Sequence, residues 1–252
     1  MSSIQLQGTL TRPAPLAVGL AALVAVAAAA EDNPHADERA RMIQTIEAHA
    51  QRATGALGRD YIDPKVLAVM DQVPRHEFVS PWHQDSAYED RPLPIGHGQT
   101  ISQPFIVALM TDMLEVGPDD VVLEVGTGSG YQAAVLARLV REVHTIEIIP
   151  ELADAAEERL ARLGFDNVRT STGDGYYGAP DAAPFDAIVV TAAAQQVPPP
   201  LIQQLKPGGR MVIPVGGGFA LQHLMLVEKE ADGRVRTRQT LPVRFVPLTR
   251  GF

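Results

Sequence analysis

Val121-Val122-Leu123-Glu124-Val125-Gly126-Thr127-Gly128-Ser129-Gly130 reads as a buried strand running straight into a turn that only glycines permit. Branched and large apolar residues precede Glu124, glycine then occupies every second position, and the run from Tyr131 to Leu139 is compatible with a helix. A strand, loop and helix unit follows. Glycines here let backbone N–H groups at the helix start face a ligand, and the helix dipole favours an anionic group beside them. The stretch is a nucleotide-cofactor site.

The spacing bears on which cofactor. A pyrophosphate binder uses G-x-G-x-x-G, in which the third glycine lets the helix pack on the strand. Here Gly126, Gly128 and Gly130 bring that third glycine one residue early, and Glu124 stands two residues before the first. A carboxylate there repels a pyrophosphate but attracts a cation, directly or through water. S-adenosyl-L-methionine fits that arrangement, since it carries an ammonium, a sulfonium, one carboxylate and no phosphate. The pattern resembles motif I of the Rossmann-like methyltransferases. Another nucleotide, or a tight structural turn, remains open from this motif alone.

The following segments extend the unit. Val143 to Ile149 is a second apolar run whose acid, Glu147, falls about 20 residues after Gly126, the interval at which a strand-end carboxylate reaches a ribose diol. A helix is expected from Pro150 to Leu163, with Gly164 just past its end. Strands are expected at Val168 to Thr172, Phe185 to Thr191 and Met211 to Val215. After the first of these, Gly173-Asp174-Gly175 forms another strand-end loop, where Asp174 could accept from an adenine amino group. Bland readings stand beside these: Glu147 as a solvated strand-end acid, Asp174 as a turn former bonding its own backbone. Gly216-Gly217-Gly218 supplies a flexible turn. Arg234, Arg236 and Arg238 share one side if their segment is a strand, either as a polar edge that resists aggregation or as a weak grip on acidic protein substrates.

Ahead of the cofactor unit, Ala36 to Gln51 and Pro64 to Val73 read as amphipathic helices, the second capped by Asp63. The segment from Arg91 to Pro104 is rich in proline and glycine and is expected to be loop, followed by a helix from Phe105 to Leu114. Serine before a helix is a standard N-cap, which gives Ser102 a structural role on local grounds. His97 is a lone loop histidine, more simply a turn or packing residue than a base.

Composition bounds the rest. Roughly 215 residues follow the N-terminal leader, enough for one α/β domain with a full core. A net charge of -9 argues against nucleic acid as the main partner. The absence of cysteine excludes disulfides, thiolate metal sites and a cysteine nucleophile, and the seven histidines show no metal-ligand spacing, so no metal is expected. Residues 1–36 are expected to be a separate leader and linker, and residues 37–252 a single domain. Ala14 to Ala30 carries no charge, follows Arg12 and ends in Ala28-Ala29-Ala30, like a secretory apolar region with its cleavage site. It is short for a stable membrane span. A disordered extension, or a true start nearer Met42, fits as well. Export conflicts with a cofactor made inside cells, which narrowly favours the cytoplasm over the exported alternative.

From Asp37 onward the chain resembles the protein-L-isoaspartate (D-aspartate) O-methyltransferase family. The resemblance is carried by Pro74-Arg75-His76 with Phe78-Val79, the run from Leu93 to Pro104, motif I, Gly173-Asp174-Gly175, Phe185-Asp186-Ala187-Ile188 with Thr191-Ala192-Ala193, Pro207-Gly208-Gly209 and Arg244-Phe245-Val246-Pro247-Leu248. Gly98-x-x-x-Ser102-x-Pro104 is its most specific part. The resemblance implies an α/β, Rossmann-like fold with a mostly parallel sheet, helices on both faces and an N-terminal helical extension. It implies methyl transfer from S-adenosyl-L-methionine to the free α-carboxyl of L-isoaspartyl residues in damaged proteins, by a monomer. Ser102 becomes the active-site serine, hydrogen bonding the substrate carboxylate. The cofactor set is Glu124, Gly126, Thr127, Gly128, Ser129, Gly130, Glu147, Asp174 and Gly175, and the substrate set Ile101, Ser102, Val246, Pro247 and Leu248. A nucleotide-dependent oxidoreductase and a non-catalytic binding protein are the competing classes.

Overall fold

The computed structural model describes residues 35–217 and 221–251. The leader, apart from its last two residues, and Gly218 of the triple-glycine turn lie outside the described residues. Asp37–Phe252 form one compact unit.

Seven strands build the main sheet: β3 (Val121–Val125), β4 (Glu142–Glu147), β5 (Val168–Thr172), β6 (Phe185–Val190), β7 (Leu205–Val215), β8 (Gln222–Lys229) and β9 (Val235–Val243). Their spatial order is β5-β4-β3-β6-β7-β8-β9. The first five run parallel, and β8 and β9 close the edge antiparallel. The chain moves outward from β3 to β5 and then returns to the other side of β3. That reversal places a crevice at the carboxyl ends of β3 and β6, where ligands settle in open α/β sheets.

Strand side chains alternate between two cores. Val122, Val143, Ala187 and Val212 face a core shared with α1 (Ala36–Arg52), α2 (Pro64–Gln72), α3 (Pro104–Leu114) and α4 (Tyr131–Ala137). Leu123, Val125, Ile188 and Ile213 face the other, closed partly by Leu201 of α6 (Pro199–Gln204). The helix α5 (Pro150–Arg162) packs on β4 and β5. The mostly parallel sheet between helices agrees with the expected fold class. Among the described residues no helix is long and apolar enough to cross a membrane.

Four expectations need revision. Arg91 to Pro104 is not wholly loop: β1 (Leu93–Gly96) and β2 (Gln99–Ile101) form a separate antiparallel hairpin. His97 (φ 51°) and Gly98 (φ 71°) turn it through the left-handed region, the geometry tight hairpins prefer. Pro94 is tolerated because a two-stranded ribbon has only edges. The strand expected through Ile149 stops at Glu147, since the N–H groups of Ile148 and Ile149 bend back to Glu147 Oε1 at 2.9 and 3.1 Å. The strand expected from Met211 already begins at Leu205. Ser102 does not cap α3. Gln103 holds the cap position without a side-chain bond, and Asp90 Oδ1 accepts the Phe105 N–H at 2.8 Å instead. Of the three arginines, Arg236 and Arg238 lie on the outer edge strand β9 and Arg234 just precedes it; Arg234 and Arg236 pair with Glu230.

Candidate active site

The glycine loop takes its shape from the end of β6. Gly126 has φ 96°, and a Cβ on it would collide with Thr191 Oγ1, which donates to the Gly126 carbonyl at 2.6 Å. Gly128 has φ 53° and donates its N–H to Glu147 Oε2 at 2.8 Å. One carboxylate thus ties the loop after β3 to the turn after β4. Behind the loop lies Glu124, fully buried. Thr145 Oγ1 donates to its Oε2 at 2.5 Å, and Thr127 Oγ1 stands 2.6 Å from Thr145 Oγ1. Among the described residues Glu124 Oε1 has no side-chain partner, and the Ala133 N–H is the backbone group that bonds the carboxyl. Burial pushes this carboxyl up to about 8, Thr145 opposes the shift and the charge of Glu147 adds to it.

Three adjoining cavities surround this loop. A narrow slot of about 60 Å³ runs over Gly126, Gly128, Glu147 and Gly175 and is walled by Val246, Pro247 and Leu248. A cleft of about 440 Å³ is lined by Ser102, Gln103, Ile106, Phe245 and Val246. A small cavity between them reaches Ile101, Ser102, Glu124, Thr127, Ser129 and Gln132. Thr100 and Thr191 line all three, and Ser102 lines the cleft and the connecting cavity. The slot meets the cleft at Thr100, Thr191 and Val246, and Ser102 joins them through the connecting cavity.

The segment carrying Ser102 is held from a distance. Arg75, fully buried, donates from Nη2 to the Ser102 carbonyl and from Nε to the Ala87 carbonyl, each at 2.7 Å, while its guanidinium sits 4.8 Å from the centre of the Tyr131 ring. Burial lowers its pKa and Tyr131 opposes that. Asp90 accepts from Gln103 Nε2 at 2.8 Å as well as from Phe105 N–H, and His49 Nδ1 of α1 lies 2.6 Å from Asp90 Oδ2. The serine side chain is left to face the cavities.

Most of the expected residues gather here. Glu124, the three glycines, Thr127, Ser129, Glu147, Gly175, Ile101 and Ser102 line the slot or the connecting cavity, except that Gly130 lies behind, where a Cβ would press on Leu160. Asp174 does not line the slot. Its Oδ1 accepts the Tyr176 N–H at 3.0 Å, and its Oδ2 is engaged by Arg250 Nε at 3.0 Å and Gly251 N–H at 3.2 Å. Those contacts hold its carboxyl below the ordinary range against the opposing effect of desolvation. Val246 borders both slot and cleft, whereas Pro247 and Leu248 wall the slot only. Sequence reading missed Thr100, Thr191, Gln103, Asp90 and Arg75 as parts of the site. Thr191 could have been found from its place just past the carboxyl end of β6, beside the crossover. The pinning bonds of Arg75 and Asp90 had no local signal.

The cradle fits a cofactor that is cationic near Glu124 and carries a diol near Glu147: the buried Glu124 carboxyl lines the connecting cavity with no side-chain partner for Oε1 among the described residues, and side chains are barred at Gly126. A family model described as Protein-L-isoaspartate(D-aspartate) O-methyltransferase (PCMT) matches residues 56–252. Protein-L-isoaspartate O-methyltransferase 2 of Syntrophobacter fumaroxidans is 61% identical over 236 residues, 94% of this chain and 95% of that one. Protein-L-isoaspartate O-methyltransferase 1 of Cupriavidus necator is 61% identical over 240 residues, 94% and 93% of the two chains. A solved protein-L-isoaspartate O-methyltransferase superposes with a TM-score of 0.73 at 29% identity, over 83% of this chain and 65% of that one. A Plasmodium falciparum beta-aspartate methyltransferase, solved in complex with S-adenosyl-L-homocysteine, shares the fold with a TM-score of 0.70 at 24% identity, over 87% and 100% of the chains. By sequence and by fold, the chain belongs to the protein-L-isoaspartate(D-aspartate) O-methyltransferase family.

Proposed function

We propose that this enzyme repairs proteins by transferring the methyl group of S-adenosyl-L-methionine to the free α-carboxyl of L-isoaspartyl residues. The observation that carries the reading is the junction of slot and cleft at Thr100 and Thr191, with Ser102 lining the cleft and the cavity that connects them. When bound, the cofactor supplies an electrophilic methyl on sulfur. Glu124 and Glu147 hold its ammonium and its ribose, and Gly126, Thr127, Gly128, Ser129 and Gly175 let it approach the backbone, with Gly130 holding the turn. Asp174 reaches the adenine only by exchanging Arg250. Ser102 orients the substrate carboxylate by hydrogen bonding, Ile101 and Val246 flank it, and Pro247 and Leu248 close the slot from the other side.

No general base is required. A carboxylate, with a reference pKa near ~4, is already ionised at neutral pH. The nearby histidines are otherwise engaged: His49 faces Asp90, His76 bonds Tyr88 and His97 forms the hairpin turn. Positioning of nucleophile and methyl carbon supplies the rate, on the order of 7 kcal/mol or more. The methyl ester formed is a better acyl electrophile than the carboxylate, so the following backbone nitrogen attacks its carbonyl and expels methanol, giving a succinimide that water reopens partly as normal aspartate.

The catalytic unit is residues 37–252, acting as a monomer in the cytoplasm, where its cofactor is made; export directed by residues 14–30 is the alternative that cell fractionation with N-terminal sequencing decides. The activity itself is tested with labelled S-adenosyl-L-methionine and matched peptides containing isoaspartate or aspartate. Base-labile methyl incorporation into the isoaspartyl peptide alone is expected. Equal labelling of both peptides, or none of either, overturns the reading.

A further inference from the structure

The large cleft beside Ser102 is chemically lopsided. Its walls are hydroxyl, amide and apolar, and among the described residues that line it Arg244 is the one ionisable side chain. Arg244 is exposed. Arg210, Arg234, Arg236 and Arg250 each lie against a carboxylate, whereas Arg244 makes no ion pair among the described residues. Its backbone is nonetheless fixed. Gln222 accepts the Phe245 N–H at 2.6 Å and donates to the Phe245 carbonyl at 3.1 Å, and Ala193 bonds Val246 and Leu248 at 2.8 Å each. Leu221, 67% exposed, lines the same cleft.

This cation stands apart from the reacting atoms. Arg244 lines neither the slot nor the connecting cavity, so on the methyltransferase reading the carboxylate that receives the methyl, placed beside Ser102, belongs deeper than the guanidinium. What the guanidinium meets is the chain on either side of the damaged residue. The protein as a whole carries a charge of -9 and repels acidic peptides at long range, but within about one Debye length, ~8 Å, a local cation dominates.

We propose that Arg244 makes the enzyme select isoaspartyl substrates that carry an acidic side chain next to the isoaspartyl residue, and disfavour those with a basic one. The inference rests on the methyltransferase reading above and names the substrate class within it.

Three isoaspartyl peptides that differ only in having Glu, Gln or Lys beside the damaged residue test it. The wild-type enzyme is expected to order them Glu, Gln, Lys in kcat/KM, with the extremes roughly threefold or more apart, as an exposed pair allows. Arg244→Ala is expected to collapse that spread, Arg244→Glu to invert it and Arg244→Lys to retain the order. Wild-type enzyme that labels all three peptides equally overturns the proposal while leaving the methyltransferase intact. So does Arg244→Ala with its ordering unchanged, or a loss by one common factor on every peptide, which would put Arg244 on the reacting carboxylate. A wild-type enzyme that labels none of them contradicts the activity itself.

Discussion

The two halves of the site are built differently. The cofactor half consists of consecutive strand ends: β3, β4 and β6 deliver Gly126, Glu147 and Thr191 to one crevice, and short backbone and carboxylate bonds knit them together. The acceptor half is a small hairpin, the start of α3 and a strap beyond β9, segments far apart in sequence. Buried side chains reach across to fix them, Arg75 to the Ser102 carbonyl, Asp90 to Phe105 and Gln222 to Phe245. On the proposed reading, regular structure positions the cofactor and isolated polar contacts position the acceptor. Damage to the first should therefore be severe and selective for cofactor, and damage to the second graded and selective for peptide.

Gly126→Val should give the largest effect. The new side chain meets Thr191 and the backbone at φ 96° suits no branched residue, so calorimetry with S-adenosyl-L-homocysteine should show affinity reduced by more than about a hundredfold, as loss of several charge-assisted contacts requires. Glu147→Gln comes next. One of its oxygens becomes a donor facing an N–H group, and cofactor Kd should rise roughly tenfold to a hundredfold, with a smaller change in peptide KM.

Glu124 offers a pH test. Its carboxyl, raised from 4.5 to about 8, makes the folded state hold a proton that the unfolded state has lost. Stability from this group is therefore present at low pH and declines as pH rises from 4.5 toward 8. A bound ammonium favours the ionised form, so cofactor binding should release a proton and tighten roughly fivefold or more between about pH 6 and 8. Glu124→Gln should flatten both slopes; an unchanged slope in that variant would assign the titration elsewhere. The smallest effect is expected in the acceptor half, where His49→Ala loosens Asp90. Peptide KM should rise by roughly threefold, in the range of one exposed polar contact, with cofactor Kd unmoved.

The same contrast explains what could be read from sequence. The unbroken run of apolar residues and the glycine spacing located β3, its loop and α4, because a buried parallel strand and its following helix obey local rules. Glu147 was legible from its interval. The hairpin was hidden by Pro94 within it and Pro92 just before it, and by a turn that combines His97 with Gly98 instead of a more telling pair. Ser102 resembled a cap because capping is local, while the group that serves α3, Asp90, comes from another segment. Asp174 was placed by its strand-end position, and its partner Arg250 lies 76 residues further on. Contacts of that kind leave no periodic trace.

The division between the halves is tested most directly at Ser102. Turnover of an isoaspartyl peptide and calorimetric affinity for S-adenosyl-L-homocysteine should be measured together on the wild type and on Ser102→Ala. Loss of one hydrogen bond to a charged group predicts a fall in kcat/KM of roughly tenfold to a hundredfold, with cofactor affinity within about twofold of the wild type. A parallel loss of cofactor affinity, or full turnover without the hydroxyl, would contradict the assignment of this serine to the acceptor.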